Sequence, residues 1–250
     1  MLIDTHAHLN SFEDLESILI DSAQSQVKEI ISMSTDIDSS GRNIEIANTF
    51  EGVFSAVGVH PCDTERFHLK DLDKIEQLAK NEKNKAIGEI GLDFFYSEQN
   101  VEQQLAFFDS QIEIAEKFDI PFVIHSRESY KELIDFLKNR KPRTQYVVHC
   151  YTGDKRTAKA LLDIGSYISF TGIVTFKKSN ELREVVDYIP GDRMMIETDS
   201  PYLSPEPKRG KKNYPKNLIY IAECVSSIKG VSFVEMANQL RSNSIKFFKL

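Results

Sequence analysis

The segment PFVIHSRESYKELIDFL (Pro121–Leu137) holds one complete unit of the fold. Pro121–Ile124 is a short apolar run, His125 ends it, and Tyr130, Leu133, Ile134 and Leu137 then recur at helical spacing. An apolar strand without polar alternation is buried on both faces, as in a parallel sheet covered by crossover helices. The same unit recurs in both directions along the chain. Strands are expected at Leu2–Thr5, Glu29–Met33, Val53–Val57, Ala86–Ile90, Gln145–Val148, Tyr167–Phe170 and Met194–Glu197, which with Pro121–Ile124 makes eight. Val101, Leu105, Phe108, Ile112 and Ala115 mark a further helix, as do Leu218, Ile221, Ala222, Val225 and Ile228. Eight such units in 250 residues predict an α/β fold, a (β/α)8 TIM barrel in which residues 1–250 form a single domain. A doubly wound open sheet is the competing arrangement.

Composition narrows the class. With 41% hydrophobic and 28% charged residues the chain reads as globular. No apolar run nears the ~18 residues of a membrane span, and MLIDTHAHLN has neither a basic region nor a long apolar stretch. Cys62, Cys150 and Cys224 form no CxxC pair and read as reduced thiols. A cytoplasmic protein with no membrane association and no obligate protein partner is expected. The net charge of -7 argues against a general nucleic-acid coat. It permits an enzyme that holds phosphate with metal ions and a local basic patch, and four of the five residues Lys208–Lys212 are basic.

Metal-ligand residue types stand where several strands end. His6 and His8 follow the first strand two residues apart, Glu89 ends the fourth, His125 the fifth and His149 the sixth, and Asp199 follows the eighth. Each alone is readily a surface histidine, a helix cap or a salt-bridge partner. Together they place four of the chain's six histidines and two acids at the strand ends that a barrel gathers on its catalytic face. Such a set exceeds the three protein ligands of a single catalytic zinc. It suits two divalent ions about 3.5–4 Å apart sharing a carboxylate, and Glu89, on a middle strand, is the natural bridge. Imidazole-rich ligation favours Zn, Mn, Co or Ni over Mg.

These residues lie in DTHAHLN (Asp4–Asn10), GEIGLDF (Gly88–Phe94), HSRES (His125–Ser129), HCYTG (His149–Gly153) and ETDSPYLSP (Glu197–Pro205). In that order they resemble the successive motifs of the TatD-family metal-dependent deoxyribonucleases, within the amidohydrolase superfamily. The resemblance implies a (β/α)8 barrel, one ion on His6, His8 and Asp199, a second on His125 and His149, and Glu89 between them. It further implies DNA phosphodiester hydrolysis, in the family often as a 3′-to-5′ exonuclease described as magnesium-dependent, on single-stranded DNA or 3′ ends. The family's frequent Asn-Glu-Pro is here Asn213-Tyr214-Pro215, so any role of that acid is absent.

Catalytic roles are expected for Glu89 and for Asp199, the latter as general base. His60 in GVHP ends the third strand and is either a group facing the site or a turn hydrogen bond beside Pro61. Arg127 suits a phosphate oxygen pair, against a salt bridge to Glu128 or Asp93. Asp93 reads as a helix cap, and Cys150 as pointing into the helix layer. Lys211 and its basic neighbours suit polyanion steering, against a solvated loop. Tyr96, Tyr151, Tyr202 and Tyr214 lie near the motif loops, where aromatics stack on bases or simply pack. The alternative function is an amidohydrolase acting on a small cyclic amide or lactone; related amidases often bridge their metals with a carboxylated lysine where this chain has Glu89. A non-catalytic binding protein is expected to have lost a ligand, and none is missing.

Overall fold

The structure, a computed structural model, describes residues 1–95 and 100–250; Tyr96 lies outside them. Eight parallel strands follow one another in sequence order: β1 (Leu2–Ala7), β2 (Val27–Met33), β3 (Val53–Val57), β4 (Asn84–Asp93), β5 (Phe122–Arg127), β6 (Tyr146–Val148), β7 (Tyr167–Phe170) and β8 (Met194–Ile196). The helices between and after them are α1 (Leu15–Gln24), α2 (Ile37–Thr49), α3 (Leu72–Ala79), α4 (Val101–Phe118), α5 (Tyr130–Arg140), α6 (Lys155–Asp163), α7 (Asn180–Tyr188), α8 (Leu218–Lys229) and α9 (Phe233–Phe248).

The sheet bends round until its first and last members meet. Ala7 bridges Ser200, Asp199 N–H donates to the His6 carbonyl at 2.9 Å, and His8 N–H donates to the Ser200 carbonyl at 2.8 Å. An open doubly wound sheet has no such seam, so the architecture is the (β/α)8 barrel. No single helix among the described residues is long and apolar enough to cross a membrane.

Most strands divide their apolar residues between two cores. Ile30, Ile87, Ile124, Val148 and Ile196 face the helices. Ile31, Ala86, Val123, Val147 and Met195 fill the barrel, with Phe247 and Phe248 from the end of α9 packed beneath them. Burying two phenylalanines at this end stabilises the barrel by about 1.5–3 kcal/mol each, and it leaves the opposite end to the polar residues.

Three strands run on past the carboxyl ends expected from the sequence. β1 continues through His6, β4 runs on to Asp93, and β5 runs to Arg127. The extension of β4 turns on Gly91, whose φ of +136° and position would bring a Cβ within 2.2 Å of the His125 carbonyl oxygen. Only glycine lets the two strands stay paired there, Gly91 opposite His125 and Asp93 opposite Arg127.

Candidate metal centre

Strand parity aims the histidines. Val123 and Val147 belong to the barrel interior while Ile124 and Val148 face outward, so the next residues, His125 and His149, return to the interior. His6 comes from β1, and His8 follows it across the seam described above. The six expected ligands meet at the carboxyl ends of the strands.

Their donor atoms separate into two groups about Glu89. Glu89 Oε2 lies 3.3 Å from His6 Nε2 and 4.0 Å from His8 Nε2. Asp199 Oδ1 lies 3.6 Å from His6 Nε2 and 3.3 Å from His8 Nε2, and the two imidazole nitrogens are 3.3 Å apart. Glu89 Oε1 faces the other way, 2.7 Å from His149 Nε2 and 2.9 Å from His125 Nδ1, which are 3.4 Å from each other. Donors about 2.0–2.2 Å from a tetrahedral ion stand roughly 3.3–3.6 Å apart. Apart from the 4.0 Å between Glu89 Oε2 and His8 Nε2, the spacings in the first group match that figure, and the second group is somewhat tighter.

Charge supports the same fit. Glu89 is 4% exposed and, among the described residues, its ion-pair partners are imidazoles rather than lysine or arginine. Burial alone would raise its pKa, but the neighbouring His149 and His6 hold it well below the usual range. Burial would likewise lower His149, and Glu89 and Glu197 hold it well above. Asp199 is drawn below its usual value, because the His8 contact and the His6 charge outweigh burial. A buried carboxylate pair fenced by neutralisable imidazoles is the donor chemistry a divalent cation satisfies.

Several residues acquire roles that the sequence reading missed. Asp93, expected as a helix cap, accepts from the Phe95 amide at 2.9 Å through Oδ1, and its Oδ2 lies 2.9 Å from His125 Nε2, opposite the edge that faces Glu89. Glu197 lies 3.3 Å from His149 Nδ1 and accepts hydrogen bonds from the Cys150 amide at 2.7 Å and the Ser169 hydroxyl at 2.8 Å. Asp4 accepts from the Thr198 amide at 2.9 Å and hydroxyl at 2.5 Å, tying β1 to the residue before Asp199. Burial pushes the Asp4 carboxyl up to about 7. Cys150 does not point into the helix layer. Its φ of +45° ends the strand alternation, and it lines the cavity over the cage with its sulfur 3.7 Å from the Thr171 hydroxyl.

That cavity is about 760 Å³, and His60, Arg127, Tyr202 and Leu203 also line it. His60 meets both of its readings: its Nδ1 accepts from the Cys62 amide at 3.1 Å, and its Nε2 lies 3.5 Å from Glu89 Oε1. Burial and the neighbouring His125 push its pKa down to about 3. The Arg127 guanidinium stacks 3.8 Å over the ring of Phe95 at the mouth. Lys211 is exposed in the loop after β8 and does not line the cavity.

The TatD related DNase family matches residues 3–249. The chain belongs to this family. It is 35% identical to the uncharacterized metal-dependent hydrolase YabD of Bacillus subtilis, over all of both chains. It is 33% identical to the uncharacterized metal-dependent hydrolase YcfH of Escherichia coli, over 100% of this chain and 96% of that protein. The crystal structure of YjjV, a TatD homologue from Escherichia coli, superposes with a TM-score of 0.94 at 28% identity, covering 100% of this chain and 98% of that one. As a TatD-family member the chain is a metal-dependent hydrolase, and it has histidine and carboxylate clusters that could hold metal.

Proposed function

We propose that the chain hydrolyses DNA phosphodiester bonds, working from a 3′ end, with two divalent ions held in the cage and Glu89 between them. The observation that supports this reading is Arg127 on the wall of the same cavity as Glu89 and Asp199. A planar guanidinium there suits paired phosphate oxygens, which an amide or lactone does not offer. The description of the matched family as a DNase agrees.

When bound, two divalent ions acidify water towards a pKa of about 7 and neutralise charge on phosphate oxygens. The chain's own residues do the rest. His6 and His8 present Nε2 to one position, and His125 Nδ1 and His149 Nε2 face the other. Asp93 and Glu197 fix which nitrogen His125 and His149 turn inward. Asp199, kept ionised and lining the cavity, accepts a proton from water and returns it to the departing 3′ oxygen. Arg127 holds the phosphate in line, and its stack on Phe95 limits the conformations it loses on binding.

The test is an assay of purified protein loaded in turn with Mg, Mn, Zn, Co or Ni. Substrates are single-stranded DNA labelled at the 3′ or the 5′ end, the same sequence as RNA, a small aryl phosphodiester, and a cyclic amide and a lactone. Mononucleotide release from the 3′ end is expected. Turnover of the amide or lactone with DNA left intact would replace the reading by the amidohydrolase alternative.

A further inference from the structure

The loops after β7 and β8 lock together into one platform beside the metal cage. Gly172 approaches the β8 loop so closely that a Cβ would stand 2.2 Å from the Leu203 carbonyl oxygen. The Glu206 amide donates to Thr175 Oγ1 at 2.8 Å, and the Arg209 guanidinium stacks 3.9 Å over Phe176. The basic loop is therefore tied down rather than a free solvated segment.

Closing the two loops merges two charge clusters that are separate in sequence. Residues 172–178 contribute Lys177 and Lys178, and residues 204–212 contribute Lys208, Arg209, Lys211 and Lys212, with Glu206 as the sole acid in either stretch. Lys177, Lys178, Arg209 and Lys211 are all exposed. This concentration stands out in a chain of net charge -7, and it gives the mouth of the barrel a polarity that steers anions from one side.

Tyr202 adjoins the cage and opens the β8 loop that carries the second cluster. Its amide donates to the Asp199 carbonyl at 2.9 Å in a turn that the Asn213 amide secures by donating to the Pro201 carbonyl at 3.0 Å. Its ring lines the cavity, stands edge-on to His8 at 5.9 Å and is 59% exposed. A large aromatic held by its backbone yet bare to solvent offers a π-face that costs little entropy to use.

We infer that Tyr202 and the joined β7–β8 loops form a track for single-stranded DNA, with Tyr202 stacking on a base beside the scissile phosphate and the cations holding the phosphates beyond it. The inference rests on the phosphodiesterase reading and names the path of its substrate. Lys177 and Lys178 enter as binding residues on equal terms with Lys211.

Binding of fluorescein-labelled phosphorothioate dT12, which resists cleavage, to manganese-loaded protein tests the track by anisotropy across a salt series. Lys177→Ala/Lys178→Ala should weaken binding and lower the slope of log K against log salt by about 1.4, at roughly 0.7 per phosphate contact on a single strand. Tyr202→Ala should weaken binding about tenfold with the slope unchanged, and Tyr202→Phe should restore it, because stacking needs the ring and not the hydroxyl. Inorganic polyphosphate should lose affinity in the lysine variant and keep it in Tyr202→Ala. Variants that bind dT12 as the unaltered protein does, or an unaltered protein that does not bind it, overturn the track. If unaltered protein cleaves DNA while the variants bind normally, the track alone falls; if it cleaves no phosphodiester, the reading beneath it falls.

Discussion

Asp93 Oδ2 lies 2.9 Å from Nε2 of His125, so the opposite ring nitrogen, Nδ1, is the one turned to Glu89. A carboxylate behind a ligating imidazole fixes its tautomer and orientation, and losing such a partner typically costs about 10–100-fold in metal affinity. Asp93→Asn should therefore weaken the ion on His125 and His149 by that factor and leave the ion on His6 and His8 unchanged. Calorimetric titration of the metal-free protein checks this, with one of two binding steps expected to weaken. Equal weakening of both steps would mean that Asp93 supports the barrel rather than one position.

Asp199 faces His6 and His8 through Oδ1 and also lines the cavity. As a proton acceptor it predicts that Asp199→Asn still binds an ion at His125, His149 and Glu89, yet turns over at least about a thousandfold more slowly at saturating metal. Single-turnover rates measured along a metal titration separate this from simple ligation. Recovery of a near-normal rate at high metal would remove the general-base role.

Much of this site was legible because the ligands sit at strand ends, and a barrel gathers those ends whatever the loops do. His125 and His149 follow from parity alone, each one residue beyond an outward-facing Ile124 or Val148. The misses share a cause in the backbone. Asp93 looked like a cap because the strand was expected to stop at Ile90, and the passage of β4 through Gly91 depends on a pairing with His125 that lies 34 residues away in sequence. Cys150 was placed by an alternation that its positive φ had already ended. Lys177 and Lys178 passed unremarked because their partner loop comes later in the chain, and Gly172 joins the two only in space.

Away from the site, Glu116 ties α4 to the segment before β6. It accepts from the Arg143 amide at 2.8 Å and from Arg140 Nη2 at 3.1 Å, with its side chain 5% exposed. Burial alone would raise its carboxyl, but the Arg143 amide and the Arg140 guanidinium outweigh it and hold the pKa below the ordinary 4.5. The stabilisation is therefore complete above that ordinary value and is lost as pH falls through the lower folded one. Glu116→Gln should cost about 1–2 kcal/mol at pH 7, a fall in Tm of roughly 2–8 °C. Thermal melts should show the gap narrowing as pH falls below the ordinary 4.5; a gap that stays constant through that fall would assign it to packing.

The central claim is that Glu89 stands between two ions, one oxygen to each. Anomalous diffraction from manganese-soaked crystals tests it most directly. Two peaks about 3.5–4 Å apart on either side of Glu89 are predicted, one beside His6, His8 and Asp199 and the other beside His125 and His149. A single peak at full occupancy, or two peaks of which either lies away from Glu89, would contradict it.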